Sequence, residues 1–297
     1  MIGARLDHWL YRGGAASRTG GAGDAMRILP TPQGPVRALD SGGHGPVLLF
    51  APDGPCVIEH YAALVAALRT DFRVVVFDLP GFGMSAPTAG YAHRLEQGAA
   101  VILGVLDALS IARATLCFSC VNGFYAMAAA AKAPARVERL ILAQTPGVAA
   151  MQAWTARMIP RPLRVPGLGQ AINFFSRRKL ARIWYRTALP KGADTGLFDA
   201  PAQATLDHGG CFCLAGVVQG MAPTPVDHPL LQPRDVPVTL LWGGADFSHK
   251  YTDPDSLLPH LPQARILRFD AIGHFPDLEQ PDTYAAVVRE ALHGTTS

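Results

Sequence analysis

The stretch "TLCFSCVNGFYA", Thr115 to Ala126, decides how the rest of the chain is read. A run of strand-forming apolar residues gives way here to an Ala-rich segment, and the junction carries two adjacent nucleophile candidates, Ser119 and Cys120. A strand that turns sharply into a helix exposes one side chain at the turn. The question is whether this turn presents a reactive group, and which of the two it is.

Outward from the junction, apolar strands alternate with helical patterns. Upstream are the strand patterns "PVLLFA" (46–51) and "RVVVFDLPG" (73–81), and the helical patterns "VIEHYAALVAALR" (57–69) and "RLEQGAAVILGVLDALSI" (94–111). Downstream come "RLILAQT" (139–145), "VPVTLLWGG" (236–244), a helix near Pro254–Leu261, "ARILRFD" (264–270) and a last helix from Pro281. Strands that are continuously apolar and separated by helices predict an α/β fold, a mostly parallel sheet covered on both faces. No internal repeat interrupts the pattern.

The alternation breaks between residues 148 and 233, which read as mainly helical with Pro and Gly interruptions. A segment inserted there is expected to cover the C-terminal edge of the sheet as a helical cap. The expected organisation is residues 1–26 as an N-terminal segment and linker, 27–147 with 234–297 as the core, and 148–233 as the cap. Residues 13–24, "GGAASRTGGAGD", have linker composition. Before them, Leu6, Trp9 and Leu10 share one helical face, as in a short helix docked on the core.

Composition bounds the function. With 49% apolar and 16% charged residues in 297, the chain can bury a full core. A net charge of +3 gives no reason to expect nucleic acid as a partner. Five cysteines form neither a disulfide framework nor a metal spacing, and Cys211 and Cys213 stand closer than a zinc knuckle places them. A reducing, cytoplasmic setting is expected, with no transmembrane segment, no signal peptide and no cofactor or metal.

Taken in order, "APDGP" (51–55), "DLPGFGMS" (78–85), the junction at 115–126, "ARVERLIL" (135–142), "LLWGGAD" (240–246) and "GHFPDLEQP" (273–281) resemble the α/β-hydrolase family of the capped type, from about Val36 to the C-terminus. The family's elbow, G-x-S-x-G, holds its nucleophile on a strained turn above the sheet. Counting inward from "LSIAR" (109–113) and from "PARV" (134–137) puts Cys120 at the nucleophile position. A register with Ser119 as nucleophile is the rival. Phe118 and Asn122 stand where the elbow glycines belong, and only Gly123 remains nearby.

The resemblance further implies His274 as base and Asp246 as acid, in the family's chain order and 28 residues apart. The other position where the family places an acid, after "RLILA", holds the uncharged Gln144. Backbone N–H groups of Val121 and Asp53 are the implied oxyanion donors, with the Asp53 side chain expected to point away from an oxyanion. In the implied chemistry His274 takes the thiol proton and Asp246 orients the imidazole. Cys56 reads as packing, with a redox partnership to Cys120 as the remote alternative; His249 reads as part of a solvated loop, with reach into the active site as the lesser alternative; and "HGGCFC" (208–213) reads as packed core or lid.

Cysteine nucleophiles in this family occur in dienelactone hydrolases, polyhydroxyalkanoate synthases and thioesterase-like cyclases. The resemblance therefore implies acyl chemistry on a hydrophobic thioester or ester, as a thioesterase, acyltransferase or cyclase. Two alternatives stand beside it: a small-molecule hydrolase of esters, lactones or C–C bonds, and a binding protein whose elbow has lost turnover. Halide displacement by an aspartyl nucleophile does not fit, because no Asp occupies the elbow. Residues 151–193 hold nine Lys or Arg and no acid, and Arg178, Arg182 and Arg186 recur every fourth residue. Such a stripe suits an acyl carrier protein, a coenzyme A thioester or an anionic membrane surface, or is simply a solvated face. Phe175, Ile183 and Trp184 are candidates to line an acyl pocket.

Overall fold

A computed structural model describes residues 2–12 and 25–293; the predicted linker at 13–24 lies outside them. The large sheet has eight strands: β1 (Met26–Leu29), β2 (Val36–Asp40), β3 (Val47–Ala51), β4 (Arg73–Phe77), β6 (Ala114–Ser119), β7 (Val137–Ala143), β9 (Val238–Gly243) and β10 (Arg265–Phe269). Their spatial order is β1-β2-β4-β3-β6-β7-β9-β10. The β1–β2 and β2–β4 pairs are antiparallel and the remaining pairs parallel.

The strands are apolar on both faces because both faces are covered. Leu48, Phe50, Val74 and Val76 pack with Tyr61, α2 (Ala62–Leu68) and α10 (Pro281–His293). Their alternates Leu49, Ala51, Val75 and Phe77 pack with α3 (Leu95–Ala108) and α4 (Cys120–Lys132). Each such fully buried Val, Leu or Phe contributes roughly 1.5–3 kcal/mol, so the two faces together fix the strand register.

Three local expectations differ from the structure. Pro254–Leu261 forms successive turns rather than a helix; Pro259 has no N–H to donate and its ring clashes with the carbonyl four residues back. In α1 (Ile2–Tyr11) the buried residues are Gly3, Ala4, Asp7 and Tyr11, while Trp9 is 54% exposed. The helix docks through Gly3, Ala4, Tyr11 and the Asp7 carboxylate, whose partner is Gln170; of the three apolar residues expected to dock, Leu10 packs beside Tyr11, Leu6 is half-buried and Trp9 faces outward. The strands β1 and β2, which the alternating pattern did not predict, extend the sheet at its antiparallel edge.

Between β7 and β9 the chain leaves the large sheet and forms α5 (Val148–Met158), α6 (Leu168–Ala188), α7 (Gly196–Asp207) and α8 (Leu214–Met221). A short strand, β8 (Cys211–Phe212), pairs antiparallel with β5 (Phe82–Gly83), which fastens this helical excursion to the core. Among the described residues no helix is long and apolar enough to cross a membrane.

Candidate active site

Strand β6 ends at Ser119, extended at φ −124°, and α4 begins at Cys120 with φ +51°. A left-handed conformation in a non-glycine residue costs about 1–3 kcal/mol and persists only where surrounding contacts enforce it. Here the contacts are identifiable. Asn122 Nδ2 donates to the Pro52 carbonyl at 3.0 Å, tying α4 to the loop after β3. The Thr145 hydroxyl lies 3.1 Å from the carbonyls of both Cys120 and Ala143. A Cβ on Gly123 would stand 2.3 Å from that hydroxyl, so Gly123 supplies the close approach that the missing elbow glycines would otherwise supply. Phe118 is accommodated below the turn, edge-on to Phe77 at 6.2 Å.

His274 sits on the loop after β10, fully buried. Its own N–H donates to the Ala188 carbonyl at the end of α6. Glu279 accepts from the N–H groups of Gly273 (2.8 Å) and Phe275 (2.9 Å), clamping the backbone on either side of it. Asp246 Oδ2 lies 2.5 Å from His274 Nδ1 and also accepts from Gln144 Nε2 at 2.8 Å. Its Oδ1 accepts from the N–H and hydroxyl of Ser248. Burial alone would push the Asp246 carboxyl up, but the charge of His274 and these hydrogen bonds draw it down to about 2. Gln144, at the rival acid position, thus serves as a brace for the acid.

The structure corrects the expectation for Asp53. Its carboxylate does not point away: Oδ2 lies 2.9 Å from His274 Nε2. A carboxylate buried this deeply needs a cationic or hydrogen-bonding partner, and the imidazole is the one at hand. Burial opposes charge on His274, yet Asp246 and then the hydrogen bonds from Asp246, Asp53 and Cys120 outweigh it and hold its pKa well above the usual range. For Cys120, burial and next the charge of Asp53 push the thiol up to about 11, while His274 and the Val121 N–H partly offset them. Burial and Asp53 thus favour the thiol form of Cys120 over the thiolate. The Val121 N–H is directed at the Cys120 sulfur from the first turn of α4.

His249 is a second correction. Instead of lying in solvent it is buried, stacked between Trp154 (5.2 Å between centroids) and His274 (5.3 Å). Burial drives its pKa down to about 3. Cys56 is packed, with the Tyr185 hydroxyl 3.8 Å from its sulfur.

Cys120 opens into a cavity of about 340 Å³, mostly apolar, whose walls include Asp53, Trp154, Trp184, Phe212, Leu214 and Val218. Trp184 lines it as expected. Phe175 and Ile183 do not: they are 81% and 44% exposed. "HGGCFC" is both packed and part of the wall, through Phe212. The arginine stripe faces α7. Arg178 pairs with Asp207 and Arg182 with Asp199 at 3.0 Å, while Arg186 is exposed. The acids that partner the stripe, Asp199 and Asp207, lie on α7, beyond the basic segment 151–193.

Comparison with known proteins agrees with this architecture. The family model for the alpha/beta hydrolase fold matches residues 46–281. The chain belongs to that family. Haloalkane dehalogenase 2 of Mycobacterium tuberculosis is 27% identical over 286 residues, spanning 89% of this chain and 93% of that protein. The 3-oxoadipate enol-lactonase 2 of Acinetobacter baylyi is 23% identical over 248 residues, spanning 83% and 88%. Among solved structures, the enol-lactonase from Burkholderia xenovorans superposes with a TM-score of 0.70 at 22% identity, covering 90% of this chain and all of that one. A thermophilic esterase from Thermogutta terrifontis gives 0.71 at 22% identity, covering 92% and 99%. These structural likenesses speak for the shared fold.

Proposed function

We propose that the protein is a small-molecule hydrolase that cleaves an ester, lactone or activated C–C bond through an acyl intermediate on Cys120. The observation that carries this reading is the position of Cys120: a strained, left-handed residue at the start of α4, in contact with His274 and at the floor of an apolar cavity. The α5–α8 excursion acts as the cap. Its contribution is to exclude water around an acyl group that the cavity can bury.

In this reading the Cys120 proton passes to His274 as the sulfur attacks the substrate carbonyl, and Asp246 and Asp53 hold the imidazolium so formed. Charge on the former carbonyl oxygen is met by the Val121 N–H at the N-terminus of α4. The leaving group departs with the proton from His274. Water, deprotonated by the same nitrogen, then releases the acid and regenerates the thiol.

Relatives named as a 3-oxoadipate enol-lactonase and a 2-hydroxy-6-oxo-2,4-heptadienoate hydrolase weigh toward small substrates and against a binding-only role. Halide displacement through a carboxylate at the elbow has no support, since position 120 is Cys. An acyl-thioester substrate on a carrier has less support than from sequence alone, because Arg178 and Arg182 are engaged by Asp207 and Asp199.

The test is turnover of four substrates: an aryl ester, a lactone, a vinylogous 1,5-diketone and a coenzyme A thioester. Turnover of one of the first three is expected, falling at least about a hundredfold in Cys120→Ala and His274→Gln. Wild-type turnover in Cys120→Ala, or turnover of the thioester alone, would overturn the reading.

A further inference from the structure

Outside the candidate active site, a second cluster of metal-ligating side chains joins three parts of the chain distant in sequence. Asp7 comes from α1, His93 from the segment before α3, and Cys213 from the residue preceding α8. One ligand atom from each lies within 4.8 Å of the others, and all three residues are buried. Asp7 accepts from Gln170 Nε2 at 3.3 Å and is hydrogen-bonded to Cys213.

Two independent features single the cluster out. His93 Nε2 is buried with no hydrogen-bond partner, although an imidazole nitrogen so deeply buried is costly to leave unsatisfied. His93 is also held at φ +54°, a conformation that a bare imidazole has no evident need of. Secondly, glycines make room around it. A Cβ on Gly216 would stand 2.9 Å from both Asp7 Oδ2 and His93 Nε2, and one on Gly81 would be 3.2 Å from Cys213 Sγ. A methyl group at Gly216 would therefore clash, and the glycine lets α8 pass this close to the carboxylate oxygen and the imidazole nitrogen. A neighbouring cavity of about 300 Å³, lined by Asp7, Tyr91 and His93, gives access.

From these we infer that Asp7, His93 and Cys213 bind a zinc-class divalent cation that clasps α1 and the cap to the core. Carboxylate, imidazole and thiolate together are a borderline-soft donor set that suits tetrahedral Zn²⁺ with water as fourth ligand. Bond lengths of about 2.0–2.3 Å require the three donors to close in by roughly an ångström. Binding releases the thiol proton to solvent, so affinity weakens as pH falls. The clasp reaches the substrate cavity through chain neighbours: Phe212, next to Cys213, lines that cavity and pairs across β5–β8 with Phe82.

Cys120, His249 and His274 form another grouping that could hold the same ion, so the test uses full-length protein carrying Cys120→Ser. Co²⁺ titration is expected to give one equivalent with a thiolate-to-cobalt charge-transfer band, and Zn²⁺ is expected to raise Tm. Adding Cys213→Ser should abolish the band, and Asp7→Asn, which preserves shape, should weaken Co²⁺ binding about tenfold or more. Circular dichroism confirms that each variant is folded; if Cys213→Ser is not, Asp7→Asn decides. Absence of the band in Cys120→Ser, or tight binding that survives Asp7→Asn, would overturn the site.

Discussion

Nothing in "APDGP" announces that the Asp53 side chain meets His274. It bonds the imidazole at the same nitrogen that serves Cys120, and its charge is the second cause, after burial, of the raised thiol. Asp53→Asn is therefore expected to lower the Cys120 pKa. Iodoacetamide alkylation at pH 8 should accelerate several-fold, since each unit of pKa is tenfold in thiolate. An unchanged alkylation profile would contradict the coupling. His249 gives a prediction of opposite character. Its folded pKa of about 3 lies below the ordinary value near 6.5, so between these limits the unfolded chain binds the extra proton. Stability from the neutral ring is then present above about 6.5 and lost progressively as pH falls toward 3. In urea titrations the wild type should lose more stability than His249→Gln between pH 6.5 and 4; equal losses would contradict the assignment.

The element that most departs from expectation is the β6–α4 elbow. The glycine pattern that normally marks it is absent, yet Cys120 still has φ +51°. Gly123 and Thr145 hold the turn instead, a substitution invisible to a motif but plain in the packing. Gly123→Ala should cost about 1–3 kcal/mol of stability, read by chemical denaturation; a neutral outcome would show that Thr145 moves freely aside. The basic face of α6 was legible as a stripe and misleading as a surface. Its partners come from α7, and exposed pairs of this kind contribute no more than about 1 kcal/mol each. Replacing Arg178 and Arg182 by Ala should lower Tm slightly and leave the KM for a coenzyme A thioester unchanged. A rise in that KM would restore the docking role.

For the whole molecule, alternation of apolar strands with helices was enough to predict the sheet, because strands covered on both faces cannot be amphipathic. β1 and β2 were not legible: β1 is a short edge strand exposed at Arg27 and Ile28, and the short β2 carries Arg37 and Asp40, which are buried only because Asp78, Glu59 and Arg73 pair with them. The positions of Cys120, His274 and Asp246 followed from motif order, and the structure brings these three together. Asp53, Gln144, His249 and Glu279 were missed in their present roles, since each acts through a contact made only by the fold. Asp7, His93 and Cys213 are likewise joined only in space, being 86 and 120 residues apart along the chain. The central claim is covalent catalysis at Cys120, and rapid-quench intact-protein mass with an aryl ester tests it most directly. An acyl adduct is expected on wild type and Ser119→Ala, absent from Cys120→Ala and mapping to the peptide that contains residue 120. An adduct lost only in Ser119→Ala, or mapping to Asp53, would contradict it.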